Sequence, residues 1–188
     1  MNNSKLDTST KHLHLILAEV NSILVGLDRM PKGSPQLYLP IVKYLIIRSC
    51  AFWDEVEKQF VKEAQKTSEY PQVEFIVEFL LKTRDGFFPD LRNIRNNVFA
   101  HNYRVKLKNY SSIFDLETSY KFPRSAPELA VNIKLMDIFL AAMKYLYPNI
   151  LNVYSEEIPS LGYVGTGISD SNYTQIIQEI ENKVDSFL

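Results

Sequence analysis

Apolar residues recur every three to four positions along most of this chain, the pattern of amphipathic α-helices. Leu13, Ile16, Leu17, Val20, Ile23, Leu24 and Leu27 make the first stripe, with Thr8, Ser9 or Thr10 available as its N-cap. Met30-Pro31-Lys32-Gly33-Ser34-Pro35 ends that helix, because two prolines and a glycine cannot continue it. A second helix is expected to begin near Pro40, since proline is tolerated in a first turn. Its buried stripe takes in Ile41, Leu45, Phe52, Val56 and Phe60. Pro71 opens a third helix carrying Val73, Ile76, Val77 and Leu80, which Asp85-Gly86 is expected to interrupt. Pro89 starts a fourth, with Leu91, Ile94 and Val98 inward.

From Tyr103 to Phe122 the period changes to two. Val105 and Leu107 alternate with Arg104, Lys106 and Lys108, and Phe114 and Leu116 alternate with Asp115 and Glu117. That spacing predicts a short hairpin or an extended loop. Ser125 then caps a strong helix, with Pro127 and Glu128 in its first turn and Leu129, Ile133, Met136, Phe139, Leu140 and Met143 along its face. Pro148 is expected to stop it. The run Ser160 to Gly167 is flexible in composition, and a last amphipathic helix carries Ile176, Ile177, Ile180 and Val184. These elements predict an all-α helical bundle with a small irregular or β-hairpin insertion, as one domain over residues 1–188.

Composition narrows the class without naming a function. At 188 residues the chain can bury a sizeable core, and 46% hydrophobic with 23% charged residues is ordinary for a globular protein. A formal net charge of −1 means that a polyanionic partner must be met by a local basic patch. A single cysteine excludes an intramolecular disulfide framework and suits a reducing compartment. The first residues lack the uninterrupted apolar run of a signal peptide, and the richest apolar window, Tyr38 to Cys50, is broken by Pro40, Lys43 and Arg48. A cytoplasmic protein with no membrane partner is the expectation.

The chemistry concentrates in Arg95-Asn96-Asn97-Val98-Phe99-Ala100-His101, which holds the only histidine beyond His12 and His14. A guanidinium grips phosphate bidentately, and an imidazole moves a proton near neutral pH. Other signals are weaker. His12 and His14 stand two apart and do not share a helix face, so no metal site is expected. Cys50 beside Ala51 and Phe52 reads as a small buried residue. Gly162, Gly165 and Gly167 lack the Gly-Lys-Ser/Thr ending of a phosphate loop. Asp54, Glu55 and Glu57 beside Trp53 read as a solvated face.

The stretch Leu91 to Asn102 resembles the signature of HEPN domains, all-helical bundles marked by an arginine, a polar residue after it and a histidine five to seven positions downstream. Arg95, Asn96 and His101 occupy those places, and the Phe-Ala-His ending is common in the family. The resemblance covers about a dozen residues closely. It implies a metal-independent endoribonuclease with no cofactor, in which His101 serves in general acid–base catalysis, Arg95 binds the scissile phosphate and Asn96 orients one of them. The resemblance also implies a homodimer. A toxin–antitoxin or anti-phage role, with a nucleotidyltransferase-type antitoxin modifying Tyr103, belongs to one branch of that family. Arg92, Asn102, Tyr103, Arg104, Lys106 and Lys108 are the candidate RNA contacts. A non-catalytic HEPN-fold interaction or RNA-binding module, with Arg95 paired to a carboxylate, is the alternative.

Helical geometry adds a constraint of its own. Six positions at about 100° each set Arg95 and His101 roughly 120° apart on an unbroken α-helix. They cannot then share a face. Either the helix breaks before His101, or motifs from two chains meet across a two-fold axis and supply both an acid and a base.

Overall fold

The computed structural model describes residues 4–28, 35–96, 120–123, 125–151 and 171–188. Helix α1 is Ser4–Asp28 and α2 is Pro35–Glu55. A π-helical turn, Val56–Phe60, leads straight from α2 into α3, Val61–Ala64. Then come α4, Tyr70–Phe87, and the short α5, Leu91–Ile94. The remaining elements are α6, Ala126–Leu146, α7, Pro148–Leu151, and α8, Ser171–Asp185. Among the described residues every regular element is helical, which agrees with the all-α expectation. The alternating stretch from Tyr103 lies outside the described residues except for 120–122, which are irregular.

Helix α6 is the centre of the bundle, packing against α1, α2, α4, α7 and α8. The expected stripe of Leu129, Ile133, Met136, Phe139, Leu140 and Met143 is buried, and so are Val131, Leu135, Ile138 and Ala142. A helix buried on so much of its circumference belongs to a core and not to a surface layer. Its start is fixed locally. The Ser125 side chain accepts the Glu128 backbone N–H, and the Glu128 carboxylate accepts the Ser125 N–H in return, at 2.8 Å. This reciprocal pair is the expected capping box.

Three boundaries differ from the sequence expectation. Helix α1 starts at Ser4, well ahead of the expected caps. Leu6 is buried and extends the apolar stripe toward the N-terminus. The expected caps serve elsewhere: the Ser9 hydroxyl donates to Glu55 on α2 at 2.6 Å, and the Thr10 hydroxyl to the Leu6 carbonyl at 2.8 Å. Pro40 does not open α2 but lies inside it. Its ring is exposed, so the hydrogen bond that proline cannot donate is missing on the solvent side. Asp85-Gly86 does not interrupt α4, which runs on to Phe87. Arg84 and Phe88 are both buried there, and that anchoring outweighs the low helix propensity of one glycine.

The core's densest point is a cluster of edge-to-face rings. Phe52 meets Trp53 at 5.3 Å between centroids and Phe139 at 5.9 Å, while Phe60 meets Phe139 at 5.4 Å and Tyr147 at 6.2 Å. The Arg84 guanidinium lies over the Trp53 ring, 5.5 Å from its centroid. Truncating Phe139 to Ala is expected to lower the unfolding free energy by about 3–5 kcal/mol, the range for a large core aromatic. Urea denaturation of wild type and Phe139→Ala measures the difference, and a loss below about 1 kcal/mol would contradict this core.

Candidate functional site

Helix α5 presents the arginines. Leu91 and Ile94 are buried against the bundle, α5 packs on α2, and the Cys50 thiol lies 3.6 Å from the Leu91 carbonyl. Asp90, just before α5, ties to residue 121 twice: its N–H donates to the Lys121 carbonyl at 3.2 Å, and its carboxylate accepts the Lys121 N–H at 2.8 Å. With Leu91 and Ile94 pinned inward, Arg92 and Arg95 flank that buried face, both partly buried and three positions apart, hence neighbours, while Asn93 is exposed. The winding is π-type at 95–96, and the path from there to His101 lies outside the described residues.

Both arginines meet carboxylates of α2 and its π turn. Arg95 donates from Nη1 to Asp54 Oδ2 at 2.7 Å and from Nε to Asn96 Oδ1 at 2.9 Å. Arg92 pairs with Glu57 through Nη2, which also stands 3.6 Å from Asp54 Oδ1. Lys58 approaches the Asp54 Oδ2 atom as well, at 3.5 Å. Asp54 and Glu57 stand three apart, as do Arg92 and Arg95, so the two charged pairs match in spacing. The solvated-face expectation for Asp54 and Glu57 is therefore corrected: both are half-buried ion-pair partners. Trp53 is fully buried, and Glu55 turns toward α1 through Ser9. Matched i,i+3 spacing of opposite charges was the signal available in the sequence, but nothing local says that two such pairs will meet.

The electrostatics follow from this geometry. Burial opposes ionisation of Asp54, but the hydrogen bond from Arg95 and the charges of Arg95, Lys58 and Arg92 outweigh it. They hold its carboxyl below the usual range. Arg95 is 18% exposed, so its guanidinium is neither sealed in the core nor free in solvent. Cys50 is pushed up to about 11, chiefly by burial against the opposing pull of Arg95 and Arg84, which makes it a poor nucleophile and fits its reading as a packing residue.

The structure thus brings together Arg92, Arg95 and Asn96 among the sequence candidates. His101, Asn102, Tyr103, Arg104, Lys106 and Lys108 lie outside the described residues, as does the Gly162–Gly167 cluster. His14 is half-buried, and its pKa is lowered by burial first and by Lys144 next, against Asp137. Among the described residues no group of three His, Cys, Asp or Glu side chains could hold a metal ion. No helix among them is long and apolar enough to cross a membrane. No protein-family model matches this chain, and no curated protein or solved structure matches it either.

The Asp54 ion pairs generate a pH prediction. A folded pKa below the ordinary 3.8 means that the unfolded chain binds more protons in acid. The stabilisation is fully present above that value and is lost as pH falls through the folded pKa. The stability gap between wild type and Asp54→Asn is expected to be constant from pH 7 to about 5 and to shrink below pH 4, read by urea denaturation. A gap independent of pH would contradict these ion pairs.

Proposed function

We propose that this chain is a metal-independent endoribonuclease of the HEPN type, acting as a homodimer with a composite site. One observation supports the reading most: the motif arginine is held at the protein surface by fixed partners. Asp54 and Asn96 engage Nη1 and Nε of Arg95. A guanidinium carries five N–H donors, so these two bonds orient the group and leave donor capacity for a phosphate. Arg92, fixed by Glu57, adds a second cation on the same side.

In this reaction the ribose 2′-hydroxyl attacks the adjacent phosphorus, the bond to the 5′-oxygen breaks, and a 2′,3′-cyclic phosphate remains. One His101 takes the 2′-hydroxyl proton. The His101 of a second protomer protonates the departing 5′-oxygen. Arg95 stabilises the charge that grows on the phosphoryl oxygens, and such preorganised donors are worth about 10²- to 10³-fold in rate. Asp54 acts through Arg95 as a positioning residue. Asn102, Tyr103, Arg104, Lys106 and Lys108 are the flanking RNA contacts in this proposal.

The Arg95–Asp54 pair also favours a second reading, a helical interaction module in which the arginine serves only to join α5 to α2. The two readings separate in one experiment. Purified wild type, Arg95→Ala and His101→Ala are incubated with mixed RNA in a chelator, and products are tested for cyclic phosphate ends while solution mass is measured. The nuclease predicts cleavage by a dimer, lost by at least 10²-fold in both variants. The module predicts equal background in all three, with stability reduced only in Arg95→Ala. A strictly monomeric mass with undiminished cleavage would overturn the composite site.

A further inference from the structure

A row of lysines leads away from the arginine site. Lys58, Lys62 and Lys66 stand four apart along the π turn, α3 and its end, and all three are exposed. The π winding matters to their alignment. In an α-helix, residues four apart drift by about 40° around the axis. A π turn closes only after five, as the Val61 N–H bonded to the Val56 carbonyl shows, so four residues come closer to one full rotation. Asp54, Lys58 and Lys62 therefore lie on one side of this helical run, and Asp54 and Lys58 meet there at 3.5 Å. Helical winding continues to Lys66 through the Gln65 N–H to Val61 carbonyl bond at 3.0 Å and the Lys66 N–H to Glu63 carbonyl bond at 3.2 Å.

The row is joined to the site by a shared atom. Asp54 Oδ2 accepts from Arg95 at 2.7 Å and faces Lys58 Nζ at 3.5 Å. Lys58 is 69% exposed and Lys66 is 59% exposed, so their ammonium groups reach solvent while their carboxylate partners anchor them. Five cations (Arg92, Arg95, Lys58, Lys62 and Lys66) meet four carboxylates (Asp54, Glu57, Glu63 and Asp85, the last acting on Arg92) on a chain whose overall charge is −1. The local surplus is positive where the whole is slightly negative. Four residues of α-helix rise about 6 Å along the axis, and the wider π turn rises less, so successive lysines stand close enough to meet neighbouring phosphates of one strand.

We propose that Lys58, Lys62 and Lys66 form a track for the phosphate backbone of single-stranded RNA, leading it along α3 to the Arg92–Arg95 site. This deepens the nuclease reading and rests on it for the identity of the polyanion. The contacts are electrostatic and sequence-independent. They demand a substrate long enough to span both the track and the site, so very short oligonucleotides bind without the lysines' help.

The test uses binding, so that it stands apart from cleavage. A 2′-O-methyl 12-mer, which has no 2′-hydroxyl to attack, is titrated with the wild-type chain by fluorescence anisotropy from 50 to 300 mM salt. The same is done with a triple variant, Lys58→Gln, Lys62→Gln and Lys66→Gln, with Lys144→Gln on α6 as control, each checked for folding by circular dichroism. Every lysine that ceases to neutralise a phosphate is expected to reduce the slope of log K against log salt by about 0.7, so the slope falls by about 2 in the triple variant and is unchanged in the control. A 3-mer is expected to bind the wild type and the triple variant alike. An unchanged slope in the triple variant, an equal loss in Lys144→Gln, or lysine-dependent binding of polyglutamate as tight as that of the 12-mer each overturns the track. If RNA is never cleaved but the slope changes as stated, the nuclease reading fails and the track stands; cleavage with an unchanged slope gives the reverse.

Discussion

The edge-to-face packing of Phe52 and Trp53 against Phe139 sets the rotation of α2, and the candidate site depends on that rotation. Two adjacent residues on a helix point about 100° apart, so burying both commits a broad arc of α2 to the core. Rings in this geometry add about 0.5–1.5 kcal/mol per pair beyond their buried area, and they tolerate little turning. What remains is the edge beside that arc, where Asp54 faces α5 and Glu55 faces α1 through Ser9. Arg84 stacks over the Trp53 ring and is itself buried, its Nε and Nη2 bonded to Asp85 Oδ1. One indole thus ties α2, α4 and α6 together.

Two i,i+3 charge pairs join across this frame. Ion pairs that keep contact with solvent contribute roughly 0–1 kcal/mol, so the partly buried Arg92–Glu57 and Arg95–Asp54 pairs add modestly to the fold. Their effect is on orientation. A long arginine side chain free in solvent samples many rotamers, whereas Arg95 is bonded from two directions and still 18% exposed. The π turn acts in the same sense along α2 and α3. It lets Val56 and Phe60 both face the core while Lys58 stays outward, and π turns inside α-helices occur often at functional sites.

Much of the helical layout was legible in the chain. The stripes of α1, α4 and α6 and the capping box at Ser125 are local patterns, and they appear where spacing and cap chemistry put them. The departures come where a residue's isolated preference is not decisive. Ser9 and Thr10 look like caps, Pro40 like a start and Gly86 like a stop, because each residue favours that role in isolation. Burial of Leu6 overrides the local preference at the start of α1 and burial of Arg84 and Phe88 overrides it at Gly86, while Pro40 is tolerated because it faces solvent. In the site, Arg92, Arg95 and Asn96 were legible from residue type and spacing. Asp54 and Glu57 were not, because an acidic pair on one helix looks the same whether it meets solvent or an arginine far along the chain.

By itself the sequence determined an all-helical chain, the inward face of most helices and an arginine, asparagine and histidine gathered in one short stretch. Periodicity and capping act over a few residues, so they can be read without the fold. Only the tertiary structure decided which arc of α2 lies beside α5, and hence that Arg95 is gripped by Asp54 and that Lys58 shares the same carboxylate oxygen. The reason is physical: the rotation of a helix is set by the packing of its large side chains against distant partners, and the polar residues between them go where that rotation carries them.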